Sequence, residues 1–219
     1  MRNFKRLIFC TITFVISLSA YAYDVCVDGI YYNVVTKAKT AEVTYGNVDY
    51  RGNIIIPEQI ACDGVTYSVT SIGASAFSDD SNLASVSIAN TVTSIGELAF
   101  LGCTGLASIT LPNSVTSIGE HAFASCKSLA SITLSNSVTS IGLSAFSGCS
   151  GLTSVSIPNS VTSIGWGAFD SCSGLTSVSI PNSVTSIGES AFEGCTGLAS
   201  ITLPNSVTNI GKSSFRNCM

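Results

Sequence analysis

Apolar positions recur with a period of 23 along residues 69–219 of this chain. The register is marked by Ile72-Gly73, Ile95-Gly96, Ile118-Gly119, Ile141-Gly142, Ile164-Gly165, Ile187-Gly188 and Ile210-Gly211, seven steps without a slip. Inside a unit the pattern changes along the chain. Val155 and Ile157 alternate with Ser154 and Ser156, the period of two expected of a strand with one face in a core. Pro158-Asn159 ends that strand and turns the chain. Val161 and Ile164 mark a second, shorter extended segment; their spacing of three rather than two predicts a bulge. Gly165 is read as a tight corner, Ala168-Phe169 as a ring driven inward, and Cys172 and Leu175 as the close of the coil. A unit this small cannot bury its own apolar face and does so by stacking on its neighbours. The expected fold is a mainly β repeat solenoid of seven 23-residue units.

Residues 23–68 do not repeat. Short runs at Ile30–Val35, Glu42–Tyr45, Asn53–Pro57 and Val65–Val69, separated by Gly, Asn and Asp, predict strands of a small N-terminal β cap. Such a cap shields the first unit from water. Ile54-Ile55-Ile56-Pro57 echoes the later Ile-Pro steps, so the cap is expected to grade into the array. Stacking at about 4.8 Å turns equivalent residues into ladders. Phe77, Phe100, Phe123, Phe146, Phe169, Phe192 and Phe215 then form one aromatic spine. The chain stops at Met219, one residue past Cys218, and the last unit lacks its Leu-x-x-Ile-x-Ile strand, leaving the Ile201 and Leu203 layer without a visible cover. That end is expected to be uncapped and open to end-to-end self-association.

Composition narrows the function. Hydrophobic residues make up 46% and charged residues only 10%, so serine and threonine supply the polar surface. A net charge of −4 with no basic run argues against nucleic acid as a partner. Arg2, Lys5 and Arg6, the apolar stretch Leu7–Ser19 and Ala20-Tyr21-Ala22 form a signal-peptide pattern over residues 1–22. Its apolar stretch is short for a membrane span, so the mature chain is expected to be secreted or at the cell surface with no transmembrane segment.

The run Cys103-Thr104-Gly105-Leu106 through Phe123 follows Cys-x-x-Leu-x-x-Ile-x-Leu-Pro-x-x-Val-x-x-Ile-Gly-x-x-Ala-Phe. This pattern resembles the BspA-like, or Treponema pallidum-type, leucine-rich repeats, strongly over 69–219 and more loosely across Asp63–Tyr67 and Val69–Gly73. The resemblance implies a leucine-rich-repeat right-handed coil. It also implies a bacterial surface protein that adheres to extracellular proteins or glycans of a host or neighbouring cell. Asp80 departs from the pattern, standing where later units carry Cys.

Candidate chemistry is sparse. Cys103, Cys126, Cys149, Cys172, Cys195 and Cys218 form a ladder at the repeat period. Parallel Cβ vectors about 4.8 Å apart are too far for the ~3.8 Å of a disulfide, which favours buried free thiols. Cys26 and Cys62 in the cap are better disulfide candidates. A spacing of 23 does not match zinc chelation, and no metal or cofactor site is expected. His121, the sole histidine, sits at a variable position with no nucleophile context and is read as solvated. No catalytic residue is nominated. Asp80 is expected to bond backbone amides of the cap.

Two surfaces remain as candidates for partner binding. One is the outward strand face, with Ser154, Ser156, Ser177 and Ser179 at its centre. The other is the variable edge after each Ile-Gly, read as facing water, which carries His121 and Trp166. Trp166 is either an exposed anchor or partly packed on Leu143.

Overall fold

A computed structural model describes residues 23–218. The signal-peptide segment 1–22 lies outside the described residues. Three strands begin the chain: β1 (Val25–Val27), β2 (Ile30–Val35) and β3 (Thr40–Thr44). They pair antiparallel in the order β1-β2-β3. Then follow β4 (Gly52–Ile56), β5 (Gln59–Cys62) and β6 (Val65–Ile72). β5 folds back antiparallel on β6, and β6 runs unbroken from the cap into the first Ser-Ile-Gly step.

The array contributes one strand per turn to each of two faces. The broad face holds β7 (Leu83–Ile88), β9 (Ser108–Thr110), β11 (Ser131–Thr133), β13 (Ser154–Ser156) and β15 (Ser177–Ser179). Every neighbouring pair is parallel and in register by repeat, Ile109 beside Ile132 beside Val155 beside Val178. The second face holds β8 (Ser94–Ile95), β10 (Ser117–Ile118), β12 (Ser140–Ile141), β14 (Ser163–Ile164), β16 (Ser186–Ile187) and β17 (Asn209–Ile210). The expected grading of cap into array is present on both faces: β4 pairs parallel with β7, and β6 pairs parallel with β8.

The core is a set of ladders. Phe77, Phe100, Phe123, Phe146, Phe169 and Phe192 are fully buried. Their rings stack at 4.9–5.4 Å, nearly parallel, and the stack continues to half-buried Phe215 at 5.5 Å. The cap extends the spine with a ring of its own, since Tyr50 packs on Phe77 at 4.6 Å. Burying each such ring contributes about 1.5–3 kcal/mol.

Two local expectations are corrected. Val161 does not lie in a bulged strand. Its N–H donates to the Pro158 carbonyl at 3.0 Å, so it closes a turn, and only Ser163–Ile164 is extended. A turn lets two residues three apart both point inward. Gly165 is not required by a corner either. A Cβ there would meet the stacked Gly142 carbonyl carbon at 2.8 Å, so the glycine is needed because adjacent turns touch backbone to backbone. The left-handed residues come two places later, at Leu98 (φ 58°), His121 (φ 54°), Ser144 (φ 49°) and Gly167 (φ 56°).

The second face is interrupted between β10 and β12. The turn directly before β12 also differs from its neighbours, with Ser135 standing where the other turns have Pro112, Pro158 and Pro181. In the Pro112, Pro181 and Pro204 turns a serine hydroxyl donates to the valine carbonyl of the previous rung, as Ser114 does to Val92 at 2.6 Å and Ser183 to Val161 at 2.6 Å, whereas Ser160 in the Pro158 turn finds no partner. Ser135 instead donates to Asn113 and receives the Ser137 N–H, and Ser137 also turns to Asn113. The shifted turn leaves Gly142 with more room, 3.4 Å to the nearest backbone atom.

Candidate interaction surfaces

The broad sheet presents the hydroxyl face. Ser154 pairs with Ser177 and Ser156 with Ser179, and all four are exposed. Alternation does this: Val155 points inward at 5% exposure, so its neighbours must point out. The face reaches into the cap, where the Ser85 hydroxyl donates to Asn53 Oδ1 at 2.8 Å and Ile55 stands 71% exposed beside Ser87. The sequence reading did not extend it so far; the Ile54-Ile55-Ile56-Pro57 echo is the signal that could have. At the other end Ser177 and Ser179 line a shallow groove with Asn182, Ser200 and Thr202. There the ladder narrows to a single bridge, Ser179 to Thr202.

A second hydroxyl column is not a free surface. Thr93, Thr116, Thr162, Thr185 and Thr208 each donate Oγ1 to the threonine carbonyl one rung earlier, at 3.2–3.3 Å. These side chains tie rungs together.

The variable edge divides by position. The residue directly after the glycine is exposed at Glu97, Glu120, Trp166, Glu189 and Lys212, with Leu143 half-buried. Trp166 is 50% exposed. The residue after that is half-buried or buried, and His121 is half-buried. Its left-handed backbone turns the N–H into the stack, where it donates to Leu143 O at 2.9 Å. Ser144 N–H donates to Trp166 O at 2.8 Å and Gly167 N–H to Glu189 O at 2.9 Å by the same rule. The edge and the hydroxyl face lie on different segments of the coil, so Trp166 and His121 are not gathered with the four serines.

Two core features were candidates for chemistry. The six ladder cysteines are free thiols, and each Sγ contacts a phenylalanine carbonyl, Cys103 to Phe77 at 2.9 Å and Cys126 to Phe100 at 3.1 Å. Burial pushes Cys103 and Cys195 up to about 12 and also raises Cys172; hydrogen bonding to Cys149, then burial, raises Cys126. Thiols held protonated are poor nucleophiles. Cys26 and Cys62 sit half-buried on β1 and β5, strands that β2, β3 and β6 separate in the sheet. Strand order alone does not bring them within the ~7 Å a bridge requires.

Asp80 is 2% exposed, and its Oδ1 accepts the Tyr50 N–H at 2.9 Å, the backbone contact to the cap expected from the sequence. Its Oδ2 has no partner. Burial raises its carboxyl to about 7; the Tyr50 N–H opposes this, and Asp49 and Asp79 add to it. Among the described residues no group of three or more His, Cys, Asp or Glu could hold a metal ion, and no helix is long and apolar enough to cross a membrane.

Parallel turns with backbone-to-backbone stacking, a buried ring spine and two open outer surfaces define a β-solenoid repeat protein. The sequence matches the BspA type leucine rich repeat region in six copies, over residues 70–195 and 167–219, and the chain belongs to that family. It is similar to the crystal structure of a Treponema pallidum leucine rich repeat protein, at 36% identity and a TM-score of 0.79, covering 86% of each chain. A leucine rich cell surface protein from Faecalibacterium prausnitzii is 36% identical with a TM-score of 0.78; the match covers 89% of this chain and 52% of that one. A leucine-rich-repeat protein from Eubacterium ventriosum is 28% identical with a TM-score of 0.73, over 85% of this chain and 50% of the other. This chain thus spans about half the length of those last two. No curated protein matches it.

Proposed function

We propose that the chain is an exported, non-catalytic protein that binds extracellular proteins or glycans of a host or neighbouring cell from the bacterial surface. The observation that carries this reading is the outward face. Hydroxyls on neighbouring strands, most of them exposed, run from Ser85 and Ser87 to Ser177 and Ser179, on strands fixed in register by a buried core. Extended repeat faces of this kind serve as binding surfaces, and hydroxyls can meet either peptide groups or sugars. Export is supported by the signal-peptide pattern of residues 1–22, and surface placement by the similarity to the Faecalibacterium prausnitzii leucine rich cell surface protein.

The test is a pull-down from extracellular extracts with the mature chain, repeated with Trp166→Ala and with Ser154, Ser156, Ser177 and Ser179 changed to Glu. Saturable capture that fails in either variant supports the reading. Equal capture by an unrelated acidic protein overturns it. A second reading, a self-associating structural component, draws on the near-identity of the repeat units, which leaves hardly any chemically distinct patch. Sedimentation that grows with concentration, with no captured ligand, would favour it.

A further inference from the structure

Resting on the reading of this edge as a contact surface, we propose that the Trp166 edge docks an extended, cationic segment of a partner protein. One basic side chain lies on Glu120, the next same-side residue covers Leu143 and Trp166, and a second basic side chain lies on Glu189.

The register makes the arrangement. The carbonyls of Glu120, Leu143, Trp166 and Glu189 accept N–H bonds from Leu98, His121, Ser144 and Gly167, at 2.8–2.9 Å. Each side chain is therefore one rung beyond the last in a single column. The apolar pair stands in the middle with a carboxylate on either side. Glu120 and Glu189 are exposed, and neither takes part in an ion pair among the described residues. The ion pairs found there, Arg51 with Asp49 and Arg216 with Glu193, lie elsewhere. Asp170, in the same turn as Trp166, is engaged by the Ser147 and Ser171 hydroxyls.

Spacing selects the ligand's conformation. Rungs here are 5.3–5.4 Å apart at the spine. Glu120 and Glu189 are three rungs apart, about 16 Å, and an extended chain covers ~13–14 Å in four residues. Flexible lysine or arginine side chains at i and i+4 span the difference. The side chain at i+2 then meets the indole, where an apolar group packs or a cation rests on the ring face. A neutral glycan would leave Glu120 unmatched, while Glu189 has only the exposed Lys212 one rung on in the same column, so charge complementarity favours a basic peptide here.

The test is fluorescence anisotropy of a labelled peptide with Lys-Ser-Leu-Ser-Lys at its centre, against a Glu-Ser-Leu-Ser-Glu version and a version with adjacent lysines. Trp166, the sole tryptophan, reports the same event through its emission. The expected result is saturable binding of the first peptide with a shift in Trp166 emission, and loss of that binding at about 0.5 M salt. Glu120→Gln, Glu189→Gln and Trp166→Ala should each weaken it by about two- to fivefold. All three side chains are exposed, and unchanged circular dichroism confirms that the variants fold. Equal binding of the acidic peptide, or no loss in the three variants, overturns the proposal. Capture of an extracellular protein that survives Glu120→Gln with Glu189→Gln and high salt also sinks this assignment, while leaving the broader binding function standing.

Discussion

Asp80 offers a quantitative test of how the cap is joined to the array. Its carboxyl is buried against the cap with Oδ1 on the Tyr50 N–H and Oδ2 unpartnered. The unfolded group titrates near 3.8 and the folded one near 7. The folded state therefore holds the proton more tightly, and stability must fall as pH rises between these values and level off above them. The gap corresponds to about 4 kcal/mol at most, a large part of a typical domain's stability. Asp80→Asn removes the charge and keeps an oxygen for Tyr50. It also places an amide donor where Oδ2 has no partner, at about 1–3 kcal/mol. The variant should thus be about 1–3 kcal/mol more stable than the parent at pH 8 and less stable at pH 4.5, with its own pH slope nearly flat over that range. Urea titrations at the two pH values measure this, and hydrogen exchange at the Tyr50 amide reports the junction itself. A parent whose stability rises from pH 4.5 to 8, or an Asn variant with the same slope as the parent, would refute the reasoning.

Three other outcomes follow from the packing. Gly119→Ala puts a methyl 2.5 Å from Glu97 N and should destabilise by several kcal/mol, whereas Gly142→Ala, with 3.4 Å of clearance, should change stability by less than about 1 kcal/mol; thermal melts of the pair decide whether close approach is the reason for the glycine column. Phe146→Ala, in the middle of the spine, should lose about 3–5 kcal/mol and Phe215→Ala clearly less, because Phe215 is only half-buried; equal losses by denaturant titration would contradict the spine as described. Cys103, Cys126, Cys172 and Cys195 should resist thiol reagents at pH 8 in the native protein and react at once in denaturant, since burial and, at Cys126, hydrogen bonding hold those thiols protonated; rapid native labelling would show a stack that opens.

What the sequence determined by itself was whatever repeats. A 23-residue period, a period of two around Val155 and a phenylalanine once per unit leave few ways to bury apolar area, so the solenoid, the ring spine and the hydroxyl face were all legible. Family membership followed from the same residues. What only the tertiary structure decided were contacts between turns, because they join residues 22 to 26 apart that carry no local signature. The glycine after each isoleucine looked like a corner and is a backbone contact, a distinction visible only when two turns are stacked. Val161 and Ile164 looked like a bulged strand and are the end of a turn and the start of a strand. Ser135 and Ser137 both bond Asn113 in the turn where one sheet is interrupted, a departure that shows only when the turns are stacked. His121 and Trp166 looked like equals on a variable edge; the left-handed backbone two places after each repeat glycine turns one partly inward and leaves the other half exposed. A repeating sequence fixes what every turn must bury, and the stacking of one turn on the next fixes which of the remaining side chains a partner can reach.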